Sequence, residues 1–332
     1  MATWAYPPLP AEQINREVDT ALARELEWLL HSLQDSLASL KEGLQECAAL
    51  LAPQEPGSTL VLSSLRSENV KGFVTRVGTK VVKGDVQLRL ASLPPPRGAP
   101  STRLNLSQSP EAPELVLRQL VSVRDLVAQS LDIVDVSTWT GDPLNAGFIF
   151  SQLHLLLETI SEARQMLKGE GDDTRGKWWD TSATENVCSI SLTQVLQYCA
   201  DIYAAQMFDP PLPPHLSFHL SITDSALVLL LRTLEPIALN HTPTAFSSDI
   251  SLTGFSLRDR IFGSRAPTHD EAGSLFQWHG EEVRVKEKVR VESQDPSLMA
   301  VMAKLSALEH EVMRCVAALR VLMGEEDTES EA

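Results

Sequence analysis

The chain has 332 residues, room for roughly two domains at about 150 residues each. Lys and Arg number 28 against 44 Asp and Glu, a net charge of −16, which excludes binding driven by phosphate neutralisation and an electrostatic anchor on anionic lipid. Hydrophobic residues make up 43% and charged residues 22%, which excludes a disordered polyampholyte.

No apolar run approaches the roughly 18 residues of a membrane span; the densest is Ala226–Leu231. Met1–Pro10 carries no basic residue and no apolar h-region, so no secretory signal is expected there. Cys47, Cys188, Cys199 and Cys315 are scattered without a C-x-x-C pair, the pattern of an intracellular chain. The sequons at Asn105 and Asn240 then read as chance matches.

Pro7, Pro8 and Pro10 lead into the first long element. From Ala11 to Ala52 there is no proline and a single glycine, Gly43, while Leu22, Leu26, Leu29, Leu33, Leu37, Leu40, Leu44, Cys47 and Leu51 recur at spacings of three and four. That is one face of a helix about 60 Å long. The pattern then shortens into valine-rich runs at 59–65, 70–77 and 81–90, with a further one at 103–107, which predict a small antiparallel sheet.

A second stripe starts at about Pro113 with Val116, Leu120, Val123, Val127, Leu131 and Val134. A third runs through Ile149, Leu153, Leu156, Ile160, Ala163 and Leu167. The short turn between them predicts antiparallel neighbours. Residues 171–214 read as a connecting loop with a shorter helix over 191–207. Phe218, Leu220 and Ile222 alternate as a strand, Thr223-Asp224-Ser225 turns the chain into the apolar run 226–234, and an irregular stretch follows over 236–273. A last hairpin is predicted around Gly280, with Val283, Val285, Val289 and Val291 on one face and Arg284, Lys286, Lys288 and Arg290 on the other. After Asp295-Pro296 the last helix carries Leu298, Val301, Leu305, Leu308, Val312, Cys315, Leu319 and Leu322, four regular heptads. The acidic tail 325–332 is expected to be disordered.

Together these predict an α+β chain. Its body is an elongated antiparallel helical bundle, leucine-zipper-like, built from 11–52, 111–170 and 295–324. A small antiparallel β domain from 58–107 and 215–293 is inserted at one end, because both insertions fall at the same end of an up-down-up-down bundle. The expected bundle core includes Leu22, Leu26, Leu29, Leu33, Leu305, Leu308, Val312 and Leu319.

Catalytic signals are weak. Gly171-Asp172-Asp173-Thr174-Arg175-Gly176-Lys177 fits G-x-x-x-x-G-K, but Trp178 stands where a P-loop needs Ser or Thr for Mg²⁺, and two aspartates inside the loop repel phosphate. His215 and His219 are four apart on a strand, about 13 Å, too far to share a metal. No catalytic, metal or cofactor site is therefore assigned. Two features stand out as partner-binding candidates: the Trp178-Trp179 pair in a polar loop, and the cationic strand face of Arg284, Lys286, Lys288 and Arg290. Each has a plainer reading, a loop capping its own core and cations paired with the chain's own carboxylates. A leucine stripe is likewise more often a seam within one chain than a zipper to a second copy.

Several segments, in order and spacing, resemble the Rogdi family. They are Glu25-Leu-Glu-Trp28-Leu-Leu30-His31, Asn69-Val70-Lys71-Gly72, Phe208-Asp209-Pro210-Pro211-Leu212-Pro213 and Leu275-Phe276-Gln277-Trp278. The likeness runs from about residue 20 to 320 and is closer to the fungal members, which work in RAVE, the regulator of the ATPase of vacuoles and endosomes. The resemblance implies a helical bundle with a β domain and no catalytic residues. It implies a scaffold that works with a large WD-repeat-like RAVE subunit and a Skp-type adaptor to reassemble the vacuolar ATPase from its peripheral and membrane sectors. Four mutually compatible helices in one chain predict a monomer, and the expected place is the cytoplasm, with peripheral recruitment to vacuolar and endosomal membranes. The competing reading is a free-standing acidic coiled-coil adaptor, homodimeric through the last helix.

Overall fold

The computed structural model describes residues 10–64, 69–110, 112–139, 145–169, 207–237, 269–278 and 281–324. In chain order the elements are α1 (Ala11–Leu51), β1 (Ser58–Ser63), β2 (Val70–Val77), β3 (Lys80–Leu88), β4 (Thr102–Leu106), β5 (Leu115–Val116), α2 (Arg118–Trp139) and α3 (Ala146–Lys168). They continue with β6 (Phe208–Asp209), β7 (Leu216–Thr223), β8 (Ala226–Pro236), β9 (Leu275–Trp278), β10 (Glu281–Gln294) and α4 (Pro296–Met323).

The α+β class holds, but the molecule is not a helical bundle with a small β domain inserted in it. The strands form two antiparallel sheets, one ordered β1-β2-β3-β4-β6 with β5 also on β3, the other β7-β8-β10-β9. Periodicity underestimated this β content for physical reasons. The run 226–234 is apolar on both faces because side chains on both faces of β8 are buried, and the full length of β8 is 11 residues. β10 runs for 14 residues. β5 and β6 are two-residue edge pieces with no period to detect. Leu115–Val116 pairs with Lys80–Val81, so α2 starts at Arg118 rather than near Pro113. The helix expected over 191–207 lies outside the described residues except for Met207, which is buried just before β6.

The described helices fall in one compact unit and the strands in another. In the helical unit, α1 and α3 both pack on α4. Ser130 of α2 donates a hydrogen bond to Thr159 of α3 at 3.2 Å, and Lys41 of α1 pairs with Asp135 of α2 at 2.6 Å. The buried stripe of α1 is Leu30, Leu33, Leu37, Leu40, Leu44, Cys47 and Leu51. That of α4 is Leu298, Val301, Leu305, Val312, Cys315, Val316 and Leu319. Of the expected core, Leu33, Leu305, Val312 and Leu319 are buried, Leu26, Leu29 and Leu308 are half-buried, and Leu22 is 39% exposed. Gly43 lets Leu308 of α4 come close: a Cβ there would stand 2.7 Å from Leu308 Cδ2.

In the β unit, β1 lies against β10, and Ser92 ties the segment after β3 to β10 by donating from its N–H and hydroxyl to Glu287 at 3.1 and 2.8 Å. β7 and β8 are joined by a two-residue turn in which Asp224 (φ 49°) and Ser225 (φ 60°) are both left-handed, the backbone of a type I′ hairpin. Gly72 of β2 lies opposite Val86 of β3. A Cβ at Gly72 would fall 2.1 Å from the Asp85 carbonyl oxygen and 2.7 Å from Val86 Cα, both backbone atoms. Gly72→Ala is therefore expected to cost about 1–3 kcal/mol by prising the ladder apart. Gly84→Ala on β3, where a Cβ would meet Val74 Cγ1 at 3.4 Å, Leu106 Cβ at 3.7 Å and the Phe73 carbonyl oxygen at 4.0 Å, should be close to neutral. Urea midpoints of the two variants check the contrast; equal midpoints would contradict it.

Candidate functional site

The cationic strand was the one candidate surface that lies wholly in the described residues. Its four basic residues do not share one face. Between Val285 and Glu287 the register of β10 on β8 slips by one residue, so Val285 stands opposite Leu234 while Glu287 stands opposite Thr233. A slip of one residue exchanges the two faces of a strand. Val283 and Val285 therefore lie on the side of Lys288 and Arg290, where they join Leu234, Trp278 and Phe276 in a small apolar cluster. Val289 and Val291 lie on the other side with Arg284.

Each of the four cations meets a carboxylate of the same chain. Arg284 pairs with Glu235 at 2.9 Å and Lys286 with the same carboxylate at 3.6 Å. Lys288 pairs with Asp270 at 2.8 Å and Glu271 at 2.7 Å, and Arg290 with Glu292 at 3.4 Å. The Arg284 guanidinium holds the Glu235 carboxyl below the usual carboxylate range, and Lys288 does the same for Asp270.

The densest part of this surface is centred on a residue that pattern-reading passed over. Arg232 of β8 is 4% exposed and is the register partner of Lys288. Its Nε and Nη2 donate to the two oxygens of Glu271 at 2.7 and 2.9 Å, a bidentate pair, and Lys288 donates to the same carboxylate. Burial pushes the Glu271 carboxyl up, but the hydrogen bonds from Arg232 and Lys288 outweigh it and hold the group below its ordinary range. Two cations on adjacent strands thus clasp the acidic dipeptide Asp270-Glu271 to the sheet. His219 lies on the same face, and burial, with the Arg232 charge added, pushes its imidazole down to about 4. The available signal was Arg232 itself, the one charge in the run 226–234, which demands a buried counter-charge.

Other candidates are placed as follows. Trp178, Trp179 and the Gly171–Lys177 loop lie outside the described residues, as do Cys188 and Cys199. His215 precedes β7, and its carbonyl accepts from the Leu234 N–H at 2.8 Å. Cys47 and Cys315 are buried; burial pushes the Cys47 thiol up to about 11 and raises Cys315 as well, which leaves both as packing groups rather than nucleophiles. Among the described residues no group of three His, Cys, Asp or Glu side chains is placed to hold a metal ion, and no helix is long and apolar enough to cross a membrane.

A second buried ion pair lies within the β unit. Arg76 of β2 donates from Nε to Asp295 at 2.7 Å, with side chains 3% and 0% exposed. Arg76 also donates to the Gly78 carbonyl.

Comparison with known proteins gives two findings. The family described as Rogdi leucine zipper containing protein matches residues 25–320. The chain is also similar to a protein of Schizosaccharomyces pombe (strain 972) named Regulator of V-ATPase in vacuolar membrane protein 2, with 24% identity over 308 residues, 89% of this chain and 93% of that protein.

Proposed function

Because the chain belongs to the Rogdi leucine zipper family, we propose that it regulates the vacuolar proton-translocating ATPase, as the name of its fission-yeast relative states for that protein. In its finer form the proposal is a non-catalytic scaffold subunit of a RAVE-type complex. It would bring the peripheral and membrane sectors of the pump together and so sustain vacuolar acidification. The partners are a large WD-repeat-like subunit, a Skp-type adaptor and the peripheral sector itself. The site of action is the cytoplasmic face of vacuolar and endosomal membranes, reached by recruitment.

The observation that carries this reading is the breadth of the likeness. It extends over residues 25–320 and so includes both the helical and the β unit, rather than one short motif. The free-standing homodimeric zipper is disfavoured by packing. The α4 stripe from Leu298 to Leu319 is already buried within the chain, so a second copy could reach it only by unpacking α1 and α3.

The test is co-purification of peripheral-sector subunits with isolated vacuolar membranes from cells lacking the protein. Both sectors should be present but poorly coupled, with vacuoles insufficiently acidic, most visibly at elevated external pH and calcium. Unchanged sector association and normal vacuolar pH would reject the proposal.

A further inference from the structure

We infer that the first part of α1, residues 11–29, is a docking surface for an amphipathic helix of another protein, one that carries Lys and Arg beside its apolar stripe. This goes beyond the pump reading and does not rest on it.

The buried stripe of α1 begins only at Leu30, although the helix begins at Ala11. The preceding 19 residues span about 28 Å. Every residue from Ala11 to Glu25 is exposed. Along this arm Ile14, Val18, Leu22, Leu26 and Leu29 recur at four, four, four and three, in phase with Leu33, Leu37 and Leu40 further on. Among the described residues the face that α1 buries beyond residue 30 thus continues open over Ile14, Val18 and Leu22, 46%, 50% and 39% exposed, with Leu26 and Leu29 half-buried between and Trp28 beside it 71% exposed. Ala, Glu, Arg and Leu dominate residues 11–29 and favour helix on their own, so the arm stands as a preformed helix that offers its apolar face. An exposed tryptophan beside an apolar stripe is the composition of a binding hot spot.

Charge decides the occupant. At 100° per residue Glu12 and Asp19 border the stripe on one side and Glu17 on the other, with Glu25 inside it; Arg16 and Arg24 lie farther back, one on each side, so the rim is acidic on balance. A second copy would bring the same acidic border against this one. The chain's own tail, with Glu325, Glu326, Asp327, Glu329 and Glu331, is excluded by the same repulsion. A helix with basic flanks satisfies both the apolar face and its rim, the helix-in-groove mode of recognition with electrostatic steering.

The experiment uses the full chain and two labelled 18-residue helical peptides with identical leucine stripes, one flanked by lysines and the other by glutamates, followed by fluorescence anisotropy. The lysine peptide should bind saturably and the glutamate peptide should not. Val18→Ser with Leu22→Ser, which leaves the charge unchanged, should weaken binding about tenfold or more, with the helical circular-dichroism signal retained. Glu17→Lys with Glu25→Lys should shift preference toward the glutamate peptide. Absence of saturable binding, equal binding of both peptides, or equal binding by the serine variant would overturn the inference. So would dimerisation in light scattering that the serine variant abolishes, because the face would then belong to a second copy.

Discussion

Replacing Asp295 by alanine is expected to destabilise the protein by about 3–5 kcal/mol, a large part of the roughly 5–15 kcal/mol that holds a typical domain folded. Asp295 is fully buried, and its carboxylate accepts from Arg76 Nε at 2.7 Å. Removing it leaves a guanidinium that cannot lose its proton inside a low-dielectric interior. The two residues are 219 positions apart, so the pair fixes the end of β10 against β2, just where the chain turns from Gln294 into α4 at Pro296. Asp295 is also placed to favour the start of α4 through the helix dipole. Asp295→Asn keeps the size and shape of the side chain while discarding the charge that serves both roles. The double variant Arg76→Met with Asp295→Leu should recover most of the loss, because exchanging a whole buried pair for apolar groups avoids the orphaned charge. Urea midpoints of the three variants measure this. A loss below about 1 kcal/mol for Asp295→Ala, or a double variant no better than the single one, would show that the pair is not what ties these segments.

What could be read from the sequence follows from which interactions leave a periodic trace. The α1 and α4 stripes were legible because a helix that packs on one side must repeat its apolar residues every three or four positions, and Leu33 to Leu51 and Leu298 to Leu319 do so and are largely buried. The same period says nothing about where a partner helix stops, so Leu22 carried the pattern of a core residue and is exposed. Alternation in β10 was visible, but one extra residue near Lys286 exchanged its faces, and a bulge leaves no mark in composition. For that reason the cationic face existed on paper as a continuous stripe and in the fold as two groups on opposite sides of a sheet. The clasp of Arg232 and Lys288 on Glu271 joins residues 39 and 17 positions apart, and Arg76 with Asp295 joins residues farther still; neither distance follows from any local rule. Only the oddity of a single charge within the apolar strand 226–234 hinted at the first. The thin β5 and β6 pairings, two residues each, exist because neighbouring strands offer open hydrogen-bonding edges.

The same clasp face gives the protein an acid response at a pH well above the range where carboxylates titrate. The His219 imidazole is pushed from 6.5 to about 4, by burial first and then by the Arg232 charge. A group whose folded pKa lies below its unfolded value is protonated first in the unfolded chain. Stability from this residue is therefore complete above about pH 6.5, falls as the pH drops through the interval, and stops falling once the folded form also takes the proton near 4. The interval from 6.5 to about 4 corresponds to about 3–4 kcal/mol at most. The charged groups that share the face are Arg232, Lys288 and Arg290 with Glu271, Asp270 and Glu292. Glu271 and Asp270 are held low by their cations, so they too lose stability on acidification, but that loss begins only as the pH falls into the ordinary carboxylate range. The upper part of the interval, roughly pH 6.5 to 4.5, thus belongs to His219 on this face. Urea midpoints measured from pH 7.5 down to 4.5 should decline in the wild type by up to this amount, whereas His219→Gln, which cannot charge, should hold nearly level. A glutamine variant that follows the wild-type decline would assign the acid sensitivity to other groups and leave His219 as a packing residue beneath the clasp.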